Sequence, residues 1–341
     1  MAANAPAFVT VNPSFMEPGL ILPYAQASGA FDLIADGEPR VRLAEDDLLV
    51  YMKRIDLRTS MAAGTAGANQ LPGVALTFSQ IQAPTYLLRV RAEYDHHDVS
   101  AAGRWGVSLP EAYRLGMRQG HFQLARGALL YGFNPQNGEG LLNGTGVTAV
   151  NLPPDSTGNT TVVTYDNGQM ALFLLQQFLN VKSRTNQLGI GREFTICGPQ
   201  RVLGQFEYPN IVQLVQYQRP GAGTTVTAGV VKETLMANGD KLIWAYDDTL
   251  IGRGSGGSDA VIISMTKVEK PAGDGMVNTN VFASLEPGND VCATMYADMA
   301  APREIVSPLA GGATDVLSEW RITSGWPVRP EGVTVISMIY Q

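Results

Sequence analysis

Metal-compatible side chains are most concentrated at Tyr94-Asp-His-His-Asp98. Asp95, His96, His97 and Asp98 offer the carboxylate oxygens and imidazole nitrogens that hold zinc and related ions. On a strand, however, adjacent side chains point to opposite faces, so these four cannot all reach one ion. The expectation is polar residues at a strand end and no metal site. The remaining histidine, His121, stands alone in a helical stretch. Gly252-Arg-Gly-Ser-Gly-Gly257 has GxGxxG spacing, but a dinucleotide site needs a strand before it and a helix after it, so that the pyrophosphate meets a helix N-terminus. The next segment, Asp259 to Met265, is patterned as a strand, and the glycines read as a mobile hairpin tip. Ser264-Met-Thr-Lys267 fits SxxK without the motifs that accompany it in serine hydrolases of that type. Asn143-Gly-Thr145 and Asn159-Thr-Thr161 fit glycosylation sequons, which mean little without a secretory signal. Cys197 and Cys292 are far apart and outside any CxxC spacing, indicating neither a disulfide scaffold nor a zinc site. No constellation of nucleophile, base and orienting group emerges, so neither an enzyme nor a cofactor is expected.

The elements that carry these residues point elsewhere. Charged residues make up 16% of the chain, against about 25% in average proteins, which leaves a neutral surface suited to burial against other subunits. A formal net charge of −7 argues against a dedicated nucleic-acid binder, since phosphate affinity comes from clustered Lys and Arg. The charge is nevertheless sorted. Lys53, Arg54, Arg58, Arg89 and Arg91 face only Asp56 within 52–91, and Arg104, Arg114, Arg118 and Arg126 face only Glu111 within 104–126. This implies either a mildly basic surface or ordinary salt bridging. No segment reaches the roughly 18 apolar residues of a membrane span.

Residues 1–43 are rich in Ala, Gly and Pro with scattered anchors such as Phe8, Phe15 and Phe31, and read as an arm laid on something else. A short amphipathic helix is expected near Glu45 to Met52. The small, flexible run Arg58 to Gln70 lies between strand-like stretches, which gives a long β-hairpin with a soft tip. Ser108-Leu-Pro-Glu111 is a capping box. The helix behind it, running to Gly132, would be about 36 Å long at 1.5 Å per residue. Tyr113, Met117, Leu124, Ala128 and Tyr131 give it one apolar face, and Leu115, Phe122 and Leu129 a second. On this reading Phe122 is deeply buried. A glycine-rich turn (Asn134 to Val150), a strand near Thr160 to Tyr165, and a second capping box at Asp166-Asn-Gly-Gln169 come next. The helix from there to about Arg184 is nearly apolar all round and should be buried. Then come the strand Phe194 to Cys197, a short helix opened by Pro199, and strands at Lys241 to Tyr246, Ala260 to Met265, Val291 to Met299, Val316 to Thr323 and Val333 to Ile339.

This order of elements, with ALLYGF leading into GEGLLNG (138–144), the run FTICGPQRVLGQF, and the closing segment Glu319 to Met338, resembles the major capsid proteins of tailed bacteriophages and the related encapsulin shells. The resemblance implies an α+β, HK97-like fold. Its parts would be an arm (1–50), an extended loop (51–92), a peripheral domain (93–165) with a spine helix at 108–132, an axial domain (166–300), and return strands of the peripheral domain (301–341). It implies a structural protein of the virion, assembled in the host cytoplasm. Its partners would be copies of itself in pentamers and hexamers, portal and scaffolding or decoration proteins, and packaged double-stranded DNA contacted non-specifically, with no membrane. Phe15, Lys53, Arg54, Arg58, Met61, Arg89 and Arg91 would then meet neighbouring subunits. Tyr113, Met117, Phe122 and Leu129 would pack the spine, and Arg114, Arg118 and Arg126 would face the interior or a neighbour. Lys53 is the only lysine before Lys182, and no Lys–Asn cross-link is expected. An encapsulin-like compartment or a phage accessory protein are the alternative readings.

Overall fold

The computed structural model describes residues 30, 31, 33, 41–59, 74–104, 106–155, 157–185, 192–207, 227–268 and 294–340, with the backbone alone at 52–59, 74–77, 79, 81, 267, 268 and 294. Phe15, Met61 and the tip of the expected hairpin lie outside the described residues.

Two sheets organise the chain. The first is built around β3 (Val74–Asp95), a 22-residue strand with two partners. Its first half, Val74 to Pro84, pairs antiparallel with β2 (Leu49–Thr59). Its second half, Thr85 to Asp95, pairs with β11 (Ala313–Thr323). The other edge of β11 carries β10 (Arg303–Pro308) and β9 (Ala297–Asp298), and β9 pairs in turn with β1 (Val41–Arg42). After β3 come α1 (His96–Arg104) and the long α2 (Leu109–Tyr131), which crosses the sheet. Met117 packs with Ala92 and Val316, and His121 lies against Ser318 and Trp320.

The second sheet has the order β4 (Thr148–Asn151), β13 (Val333–Met338), β7 (Asp259–Val268), β5 (Arg192–Gly198), β6 (Lys241–Tyr246). Helices α3 (Asn167–Arg184), α4 (Gln200–Glu207) and α5 (Thr227–Ala237) pack Met170, Leu174, Phe178, Val202 and Val231 against Phe194, Ile196, Val261, Ile263 and Ile336. From the opposite face Cys197, Ile262, Val333 and Val335 join a core with Leu33, Leu129, Leu130, Tyr296 and Ile322. Burial on both faces accounts for the unbroken apolar run in β7, where a one-sided strand would alternate. Arg192, β5's first residue, is held through Asp240, whose carboxylate accepts its N–H at 3.0 Å and also pairs with Lys182.

Several expectations are corrected. Glu45 to Met52 is a turn leading into β2, because Leu49 and Val50 pair with Pro84 and Ala83. Thr160 to Tyr165 is a 3₁₀ turn at Val162–Thr164, fixed by burial of Val162 and Tyr165. Neither Ser108 nor Asp166 caps its helix with a side chain; in α2, Pro110 removes one of the N–H groups a cap would serve. The GRGSGG run is no hairpin tip, since β5 lies between β6 and β7. The segment 301–341 divides between the sheets: β10 and β11 join the first, whereas β13 pairs with β7 and β4 in the second. β4 takes residues 148–151 into the second sheet as well. Arm residues Ala30 and Leu33 are fully buried in the subunit's own core rather than laid elsewhere.

The phase of α2 also differs. One face is buried, formed by Met117, His121, Ala125, Ala128 and Leu129. Tyr113, Leu115, Phe122 and Leu124 flank it, and Phe122 is 40% exposed. The small side chains of Ala125 and Ala128 bring the helix close to the core and leave the large ones at its sides. α3 is one-sided too, with Leu172 and Leu179 on the surface.

Candidate assembly surface

The ribbon of β2 and the first half of β3 extends beyond the sheet. Its 11 paired positions span about 36 Å at 3.3 Å per residue. Only two strands form it, and a two-stranded hairpin is at best marginally stable in water. The register puts Leu49, Tyr51, Lys53 and Ile55 opposite Pro84, Gln82, Gln80 and Phe78, and alternation sets these residues on one face. Tyr51 is 59% and Phe78 73% exposed. Lys53, Arg54 and Arg58 lie on β2, with Lys53 near the middle of the paired stretch.

The base of the ribbon is fixed by Glu139, a residue whose role the sequence alone does not reveal. Tyr86, in β3 just beyond the ribbon, donates its hydroxyl to the Glu139 carboxylate at 2.7 and 2.8 Å. The same carboxylate accepts the Asn134 N–H at 3.1 Å and the Ser324 hydroxyl at 3.2 Å. Strand, post-helix turn and the end of β11 therefore meet on one side chain. Burial, followed by the neighbouring carboxylate, raises the Tyr86 pKa and keeps the phenol a donor. The turn reaches this position because Gly140, at φ 85°, passes Tyr131, where a Cβ would come within 2.3 Å of the backbone. The glycines on either side of Glu139 were the available sequence signal.

The basic residues separate into two groups. Arg89 pairs with Glu319 directly opposite at 2.8 Å, Arg91 with Asp315 at 2.8 Å, and Arg114 with Glu304 at 3.0 Å. Asp315 also raises the Arg91 pKa through its hydrogen bond. For these three, the salt-bridging alternative describes the subunit. Arg118 is exposed and forms no ion pair among the described residues, while Arg126 is half-buried. Of the spine residues, Met117 and Leu129 are buried, Tyr113 stacks on Tyr94 at 5.8 Å, and Phe122 stacks on Phe31 at 5.1 Å.

The remaining motifs form no reactive centre. The GRGSGG loop leads into β7, and Asp259, which accepts the Gly252 N–H at 3.0 Å, is held by two of the three guanidinium nitrogens of Arg201, Nε at 2.7 Å and Nη2 at 2.6 Å. Asp95, His96 and His97 do come together: β3 ends at Asp95 and α1 begins at His96, so the alternation used against their convergence stops there. Cys197 is buried in the core. No described helix is long and apolar enough to cross a membrane.

A long ribbon, a spine helix on a sheet, and a second α+β lobe are the parts of an HK97-like shell protein. Solved structures share this fold: the capsid of Myoviridae phage XM1 (TM-score 0.67, 9% identity, 96% of this chain and 97% of that one), the capsid of a native GTA particle (0.58, 11%, 99% and 99%), and the capsid of cyanophage P-SCSP1u (0.54, 12%, 96% and 93%). At these identities the likeness establishes the fold. No curated protein matches the sequence. Residues 62–180, a stretch that takes in β3, the spine helix and most of α3, match the family model described as Major capsid protein. The chain has the fold of these capsid subunits, and over residues 62–180 it is similar to the Major capsid protein family.

Proposed function

We propose that the β2–β3 ribbon is the arm by which one subunit holds the next, within pentamers and hexamers that close around double-stranded DNA. The observation that carries this reading is the isolated ribbon itself, which presents Tyr51 and Phe78 to solvent with no described element of its own subunit covering them. Laid on a second copy, the ribbon buries these rings and gains the support two strands lack. Arg118, exposed and without an ion pair among described residues, is the spine residue best placed to meet DNA or a neighbour, because Arg89, Arg91 and Arg114 are neutralised within the subunit. Contact with DNA is non-specific, as the net charge of −7 leaves little basic surface. Portal and scaffolding proteins are the further partners that such a head requires.

Deletion of residues 60–70, which lie between β2 and β3 in the sequence, tests the proposal by electron microscopy of the purified protein. Wild type is expected to give closed shells and the deletion variant folded subunits with few shells. Shells of the variant that form in full yield and survive heating like wild type would overturn it.

A further inference from the structure

We propose that the corner between β3 and α1 binds a divalent transition-metal ion of the zinc type through Asp95, His96 and His97. The backbone changes there from extended to helical with no intervening loop, and three consecutive side chains turn to the same side. One donor atom from each lies within 4.8 Å of the other two. The His96 Nδ1 is 2.6 Å from a carboxylate oxygen of Asp95, and the two imidazole rings are 3.9 Å apart between centroids. Small side-chain rotations bring such a set onto one ion with bonds of about 2.0–2.2 Å.

The corner is braced from two directions. The Asp98 carboxylate accepts the Asp95 N–H at 3.3 Å, and Asp95 accepts the His96 N–H at 2.5 Å. The turn between β10 and β11 lies against the His96 ring at Gly312, where φ is 84° and a Cβ would stand 3.0 Å from Nδ1. Glycine at 312 therefore lets a second element back the imidazole. Two imidazoles and one carboxylate form a donor set suited to Zn²⁺, Ni²⁺ or Cu²⁺ and poorly suited to Mg²⁺ or Ca²⁺. A fourth position stays open to water. The helix N-terminus opposes a cation, and the carboxylates of Asp95 and Asp98 offset it. Bound there, the ion ties the end of β3 to α1 beside the β10–β11 turn.

The full-length protein, stripped with EDTA and dialysed, is titrated with zinc in competition with a chromophoric chelator, alongside His97→Ala and Asp95→Asn. The chain has three histidines, and His121 is buried against Ser318, so little imidazole background competes. One zinc per chain is expected, with affinity reduced at least about tenfold in His97→Ala and also lowered in Asp95→Asn. His97 is exposed, and an unchanged unfolding temperature of His97→Ala in EDTA would show that the fold is kept. Absence of stoichiometric zinc in the wild type, or equal zinc affinity in His97→Ala, would overturn the assignment.

Discussion

The second sheet and the ribbon are both β structure, yet they stand at opposite ends of self-sufficiency. In the sheet, β7 and β13 are buried on both faces, and Phe194, Ile196, Ile263 and Ile336 have no exposed surface. In the ribbon, 11 paired rungs run out from the body with Tyr51 and Phe78 in solvent. Hydrogen bonding is comparable in the two; burial is not, and burial supplies most of the stability. One region completes its folding inside the subunit; the other, on the reading proposed above, is completed by a neighbour.

The largest effect on the isolated subunit is expected at the self-sufficient end. Phe194 is fully buried and meets Phe178 edge to face at 5.2 Å. Phe194→Ala should cost about 3–5 kcal/mol, and urea unfolding of soluble subunits would measure it. A loss under about 1 kcal/mol, typical of a surface site, would mean that the lobe is not the subunit's stable core.

Between the two extremes, His121 joins α2 to β11. Its Nε2 lies 3.0 Å from the Ser318 hydroxyl, and burial lowers its pKa below the usual 6.5. The unfolded chain therefore takes the proton first. This contribution to stability is intact above about pH 6.5 and declines as pH falls from there towards the lowered folded value, at no more than about 1.4 kcal/mol per unit. Unfolding temperatures between pH 7.5 and 5.5 should drop in wild type and drop less in His121→Gln. Parallel slopes would place the acid sensitivity elsewhere.

At the root of the ribbon, Tyr86→Phe removes the hydroxyl shared with Glu139 and should cost about 0.5–1.5 kcal/mol, again by urea unfolding. The smallest subunit effect belongs to the ribbon. Tyr51→Ser combined with Phe78→Ser should change subunit stability by less than about 0.5 kcal/mol while sharply reducing the yield of shells. Destabilised subunits together with normal shells would reverse the comparison.

Legibility in the sequence divides in the same way, between local and distant causes. The spine helix, expected over 108–132, is α2 at Leu109–Tyr131, because helical spacing and the Pro110 start are local signals. Its phase was not legible, since the placement of Phe122 depends on Phe31, distant in sequence. The ribbon showed itself through two strand-like stretches around a small, flexible run. That β3 continues past it to pair with β11 is a choice among remote partners, and so is the passage of β13 into the second sheet. The Asp95-His96-His97 corner is hidden because no glycine or proline marks the change from strand to helix. Glu139 is hidden because a lone carboxylate in a turn does not announce that Tyr86 and Ser324 will reach it.

Hydrogen–deuterium exchange, followed by mass spectrometry on free subunits and on assembled shells, sets the two regions side by side. Amides of β5, β7 and β13 should be protected in both states. Those of 49–59 and 74–84 should exchange rapidly in subunits and become protected in shells, as expected of a ribbon that is finished by its neighbour. A ribbon equally protected in free subunits, or still unprotected in shells, would contradict that assignment.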